Sequence, residues 1–269
     1  MNAPLFDQGR RDFLRVSFVA GLGLVVGCAF PRASAGSSQA TAAGSSTASS
    51  ALAPIAWVRI ARDDTVTVVF NHSEMGQGIF TALGMIAAEE LDADWSKVRT
   101  EMASLDPVYD NPSFGMQGTG GSTSVRTCWD ELRKAGATAR SLFIAAGAAT
   151  WGVPVEECFA DTGKVIHRPT GRALRYGELV EKAAHMPVPR QAPLKKHSEF
   201  KIIGKEVPRL DARAKIEGKA VFGIDVKVEG LLTATVIHPP AFGAKLKSVD
   251  ASKARAMPGV RHVVPISDR

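Results

Sequence analysis

The sequence predicts a mixed α/β (α+β) protein in two units, and three observations carry that reading. Two stretches, beginning at Ile79 and near Ser124, place apolar residues at three- and four-residue steps, the period of a helix buried along one face. Short runs rich in valine, isoleucine and threonine stand before, between and after them, as strands do. A glycine-rich loop feeds directly into each helical stretch. With 269 residues, 45% of them hydrophobic, the chain is long enough for one or two cores.

Residues 1–35 read as an export leader. Gly9-Arg10-Arg11-Asp12-Phe13-Leu14-Arg15 precedes an apolar run from Val16 to Ala29, the pattern of a twin-arginine signal. That run is shorter than the roughly 20 residues needed to cross a bilayer core. It implies delivery to the periplasm. Two processing sites compete: Val25-Val26-Gly27-Cys28 resembles a lipoprotein box with Cys28 as lipid acceptor, and Ala33-Ser34-Ala35 resembles a signal-peptidase site. Residues 36–51, nearly all Ser, Ala, Thr and Gly, read as a flexible tether.

The first folded unit is expected over 52–185. Trp57–Ile60 and Thr65–Phe70 form a hairpin across Arg62-Asp63-Asp64. A helix over Ile79–Leu91 presents Phe80, Leu83, Ala87 and Leu91 on one face, and Val98–Met102 is a strand. After a long loop, a second helix runs to Thr150, its face made by Trp129, Leu132, Ala135, Ala139, Leu142 and Ala146. Turns at Asp161–Lys164 and Pro169–Arg172 separate short strands, and Tyr176–Ala184 is a short helix. Residues 186–208, with four prolines and several lysines, read as a linker. A smaller α/β unit is expected from Arg209: strands at Val221–Val226, Leu231–His238 and Val260–Ile266, and a helix at Ala251–Met257.

Composition excludes several classes. The net charge of +6 is inflated by four leader arginines set against Asp7 and Asp12, and no basic block interleaved with aromatics follows, so nucleic acid is not an expected partner. The three cysteines and six histidines form no C-x-x-C or H-E-x-x-H set, so no zinc or iron–sulfur site is expected in this chain. Cys128 and Cys158 read as buried thiols, with a disulfide as the alternative outside the cytoplasm.

The chemistry concentrates in the two loops. A helix start exposes unpaired N–H groups and a partial positive charge, which suits an anion, and glycines let the ligand approach the backbone. The candidates are Gly76, Gln77 and Gly78 in the first loop and Gly120, Gly121, Ser122, Thr123 and Ser124 in the second. Neither loop has a Walker or Rossmann spacing. Glu74 reads as a structural hydrogen-bond partner ahead of a general acid, and Arg126 as a phosphate partner or a surface arginine.

Glu74-Met75-Gly76-Gln77-Gly78, Ala88-Glu89-Glu90-Leu91-Asp92-Ala93-Asp94-Trp95, Gln117 to Arg126, and Arg209-Leu210-Asp211 with Phe222-Gly223-Ile224-Asp225-Val226 together carry a resemblance. They resemble the large subunit of isoquinoline 1-oxidoreductase and related membrane-associated aldehyde dehydrogenases, in the xanthine oxidase superfamily. The resemblance implies a molybdopterin-binding α/β region at 52–185, with both loops on a molybdopterin cytosine dinucleotide. It implies the start of a "hammerhead" domain at 209–269, a partner small subunit bearing 2Fe–2S clusters, and a cytochrome c as electron acceptor. The implied reaction is hydroxylation beside a ring nitrogen or oxidation of an aldehyde, with water as oxygen source. The later Gly-Gly-Gly-Phe-Gly and Gly-x-Gly-Glu motifs of that family do not occur, so the catalytic base is unassigned. The expectation is a truncated or split subunit, inactive without its C-terminal remainder. A non-catalytic exported or lipid-anchored assembly module is the alternative.

Overall fold

A computed structural model describes residues 14–19, 23–28 and 57–266. The twin arginines, the Ala33-Ser34-Ala35 site and the 36–51 tether lie outside them. The chain divides into one unit up to Ala220 and another from Val221.

The first unit holds a five-stranded sheet in the order β1 (Leu14–Val19), β2 (Gly23–Cys28), β3 (Val58–Ile60), β4 (Val66–Phe70), β5 (Val98–Met102). The first four strands run antiparallel in turn, while β4 and β5 are parallel and joined through helix α1 (Ile79–Leu91). Such a crossover is what a parallel pair requires. β3, β4, β5 and α1 fall where the residue pattern predicts. The second half of the apolar run Val16–Ala29, expected to belong to an export leader, does something else: as β2 it pairs Leu24 with Ile60 and Val26 with Val58, and both Leu24 and Val26 are wholly buried. A run dense in valine satisfies a sheet edge as readily as an export leader.

Helix α2 (Ser124–Trp151) crosses α1 at close range. A Cβ on Gly136 would sit 2.5 Å from the Ala87 carbonyl oxygen, so only glycine lets the two backbones meet there. A second sheet of β6 (Cys158–Asp161), β7 (Lys164–His167) and β8 (Ala173–Arg175) is an antiparallel meander. Thr162 and Gly163 both take positive φ in the two-residue turn between β6 and β7, the backbone twist that closes a tight hairpin. Helix α3 (Tyr176–Ala184) follows, with Tyr176 stacked on Phe143 at 4.2 Å and its hydroxyl donating to the Leu91 carbonyl at 2.6 Å.

The expected linker is anchored to this core. Glu89 and Glu90, at the end of α1, have no solvent exposure. Glu89 accepts the N–H groups of Lys201, Ile202 and Ile203 and the Lys195 ammonium, at 2.6–3.1 Å. Glu90 takes Arg133 at 2.7 Å, Arg140 at 3.5 Å and the Lys195 N–H at 3.0 Å, and Asp92 receives the Lys195 ammonium at 2.6 Å. Burial opposes the charge on Glu89, yet the lysine and three backbone donors hold its carboxyl below the usual range. Residues 193–203 are thus a strap fastened to buried carboxylates. Prolines and lysines suggested a linker because partners more than 100 residues away in the chain leave no local trace.

The second unit differs from expectation. Between Val221 and residue 266 the described structure is a 3-10 turn at Gly223–Asp225, a helix α5 (Ser252–Arg255) and extended or turning backbone. The strands expected at Val221–Val226, Leu231–His238 and Val260–Ile266 are not formed, and the expected helix is cut to one turn. Extended segments become strands only when a neighbour pairs with their N–H and C=O groups, and no such ladder forms among the described residues of this unit. Ile224, Leu231, Ile237 and Phe242 are correspondingly exposed. Arg209–Ala220, with helix α4 (Ala212–Ile216), groups with the first unit.

Candidate functional site

The first loop is closed by its own acid. Gly78, at φ 84°, caps α1 without a side-chain hydrogen bond. Glu74, with only 7% of its side chain exposed, accepts the N–H groups of Gly76 at 2.8 Å, Gly78 at 2.9 Å and Phe80 at 3.1 Å. Arg209 adds a guanidinium contact to Glu74 at 3.2 Å and reaches the Gly76 carbonyl at 3.0 Å. Burial works against this carboxylate, but the three backbone donors and Arg209 together keep its pKa below the ordinary value. Glu74 therefore sits where an anion at the start of α1 would sit. Gln77 is likewise turned inward on its loop, accepting from the Met75 N–H and donating to the Ser73 carbonyl at 3.0 Å. The structure departs here from the expectation of a helix start open to a ligand. An acid two residues before a Gly-x-Gly turn is the sequence signal of this self-capping.

The second loop is built differently. Gly121 and Ser122 are exposed, at φ 57° and 52°, and Thr123 is buried as the cap residue of α2 without a side-chain cap bond. The Thr123 hydroxyl turns back to the Gly120 carbonyl at 2.8 Å. The first backbone bond into the helix runs from Thr127 N–H to the Thr123 carbonyl at 2.8 Å. Among the described residues, no protein acceptor takes the N–H of Ser124, Val125 or Arg126. Arg126 itself is exposed. This helix start, under an outward-facing glycine–serine turn, keeps the donor set an anionic group needs.

Between the loops lies a buried polar cluster that the sequence reading did not single out. His72, directly after β4, faces Asn111 through Nε2 at 3.2 Å and Cys128 through Nδ1 at 3.6 Å. Cys128 Sγ donates to the Asn71 side-chain oxygen at 3.5 Å, and Asn71 donates to the Tyr109 carbonyl. Burial lowers the His72 pKa, and it pushes the Cys128 thiol up to about 12. Cys128 and Cys158 are both free, buried thiols. The Ser73 N–H donates to the Thr119 hydroxyl at 2.7 Å and joins the two loops directly. The only hint in the sequence is an Asn-His pair closing a β-rich run.

No cluster of metal-ligating side chains occurs among the described residues, and none of their helices is long and apolar enough to cross a membrane. The chain is 36% identical over 254 residues to isoquinoline 1-oxidoreductase subunit beta of Brevundimonas diminuta, covering 80% of this chain and 32% of that protein. It is 37% identical over 275 residues to membrane-bound aldehyde dehydrogenase (pyrroloquinoline-quinone) of Gluconacetobacter polyoxogenes, covering 98% and 35%. It therefore spans about a third of the length of these relatives. A solved quinoline 2-oxidoreductase from Pseudomonas putida 86 superposes on 50% of this chain and 17% of its own, at 20% identity and a TM-score of 0.36. The family profile described as "Molybdopterin cofactor-binding domain" matches residues 17–230, most of the sequence. Both glycine loops and the buried frame between them fall inside that match, and the chain belongs to the molybdopterin cofactor-binding domain family.

Proposed function

We propose that this chain is the leading part of the pterin-binding portion of a molybdenum-dependent oxidoreductase, acting on N-heterocycles or aldehydes. In this reading Gly120, Gly121, Ser122 and Ser124, with the open N–H groups at the start of α2, receive an anionic part of a molybdopterin cytosine dinucleotide, while Thr123, buried with its hydroxyl on the Gly120 carbonyl, supports the loop from beneath. The observation that carries it is the unfilled donor set at the start of α2. The cofactor fits this loop. It does not fit the start of α1, where Glu74 already fills the place, so Gly76, Gln77 and Gly78 shape the neighbouring wall and do not grip an anion.

When bound, the cofactor would supply the redox centre. The chain's own contribution is binding and orientation: backbone donors fix charge, exposed glycines permit close approach, and the Ser122 and Ser124 hydroxyls add polar contacts. A base, substrate-orienting groups and the electron exit belong to other parts: the rest of the large subunit, a small subunit with 2Fe–2S clusters, and a cytochrome c acceptor.

The test is molybdenum per polypeptide in the complete protein, with the remainder of the large subunit and the iron–sulfur partner supplied. Gly121→Val should lower it by about tenfold or more, since one hydrogen bond to a charged group is worth about 1.5–3 kcal/mol. Gln77→Ala should leave it nearly unchanged. Full loading of the Gly121 variant would overturn the assignment.

Export by the twin-arginine route, followed by lipidation at Cys28 or by cleavage after Ala35, completes the proposal. It is supported by Arg10-Arg11 ahead of the apolar run. Because half of that run forms β2, the leader must leave the sheet when export machinery engages it. Replacing both arginines with lysine should retain the protein in the cytoplasm, and undiminished periplasmic delivery would refute this.

A further inference from the structure

We infer that Asn111 is a positioning residue for the second loop: its buried amide holds Gly118–Thr123 in the shape that presents the start of α2 to the cofactor. The inference rests on the reading of that loop given above.

Asn111 has no solvent exposure. Its side-chain nitrogen lies 3.0 Å from the Gly118 carbonyl, 2.9 Å from the Thr123 hydroxyl and 3.2 Å from His72 Nε2. Its side-chain oxygen accepts the Ser113 N–H at 3.0 Å. The backbone works on the same loop: its N–H donates to the Met116 carbonyl, and its carbonyl accepts from Phe114 and Gly115, each at 2.9 Å. Every polar atom of one residue thus serves the loop between Asn111 and Thr123. Thr123 accepts from Asn111 and passes its own proton to the Gly120 carbonyl at 2.8 Å. This relay sets the peptide just before Gly121 and Ser122, which face solvent. Behind it, His72 Nε2 lies beside the same nitrogen, and a buried amide whose two protons lost these partners would be costly.

The geometry predicts what each change does. Asn111→Asp is isosteric but removes both amide protons and sets a carboxylate against the Gly118 carbonyl, so it should spring the loop without altering core volume. Thr123→Val removes only the relay, and Thr123→Ser keeps it. In the complete protein, Asn111→Asp and Thr123→Val should each lower molybdenum and cofactor nucleotide per polypeptide by about tenfold, the effect of losing one charge-assisted contact. Thr123→Ser should retain them. Hydrogen exchange at 118–123 should accelerate in the two deficient variants, with exchange in α1 and α2 beyond their first turns unchanged. If Asn111→Asp fails to fold, the Thr123 pair decides: equal occupancy in Thr123→Val and Thr123→Ser overturns the inference. If both Asn111→Asp and Thr123→Val load fully while Gly121→Val does not, the positioning role falls and the loop assignment stands. If all three load fully, the loop assignment itself has failed.

Discussion

Glu90→Ala is expected to lower the thermal unfolding midpoint by on the order of 10 °C, or to leave the chain insoluble. Glu90 is unexposed and meets Arg133, Arg140 and the Lys195 N–H. Removing its carboxylate strands two guanidinium groups that are each about nine-tenths buried. Breaking a buried pair from one side costs about 3–5 kcal/mol, because the surviving charge keeps its desolvation penalty. For a domain of this size each kcal/mol moves the midpoint by about 2–4 °C. Arg133 also lies between the rings of Trp129 and Phe200, at 5.3 and 5.5 Å, so its displacement would loosen the strap at a second point. Differential scanning calorimetry decides it: a shift under about 2 °C would show that the carboxylate is not integral to the fold.

The second large effect is expected from removing the N-terminal β1–β2 hairpin. A chain beginning at residue 36, expressed in the cytoplasm beside the full chain, should unfold at lower temperature and associate. Leu24 and Val26 are fully buried against the sheet, and burying such side chains is worth about 1.5–3 kcal/mol each. Their loss also uncovers β3, whose Val58 and Ile60 lie in the core and whose backbone Val26 now pairs through the Trp57 N–H at 2.9 Å. An uncovered apolar edge recruits other chains. Equal midpoints and a monomeric elution profile for both chains would show that the hairpin adds nothing to the core. Val26→Asp in the full chain makes the same point without deletion.

The periodic parts of this fold were legible before any coordinates. The stripes on α1 and α2, the valine-rich run of β4 and the turn at Thr162-Gly163 are local patterns, and local patterns survive in one dimension. What escaped was long-range and polar. Glu89 and Glu90 look like ordinary helix-surface acids until Lys195 and residues 201–203 arrive over them. Asn111 and His72 are unremarkable alone, and their meaning lies in a contact across 39 residues. Both glycine loops were found, but not the difference between them, since that depends on Glu74 folding back on its own backbone. The apolar runs after Val221 show the opposite failure: a strand-like pattern is real, but pairing is a property of two segments.

The strap also has an electrolyte chemistry of its own. Around it, Glu89, Glu90 and Asp92 meet Arg133, Arg140 and Lys195, three charges of each sign, all nine-tenths or more buried. Mobile ions shorten the reach of exposed charges, from about 30 Å at 0.01 M to about 3 Å at 1 M, but they cannot enter a space without solvent. Brine would therefore weaken surface pairs such as Arg62–Glu181 and Lys219–Glu217, while this neutral cluster keeps its hold. A protein fastened in this way carries its attachment between dilute and concentrated surroundings without retuning it.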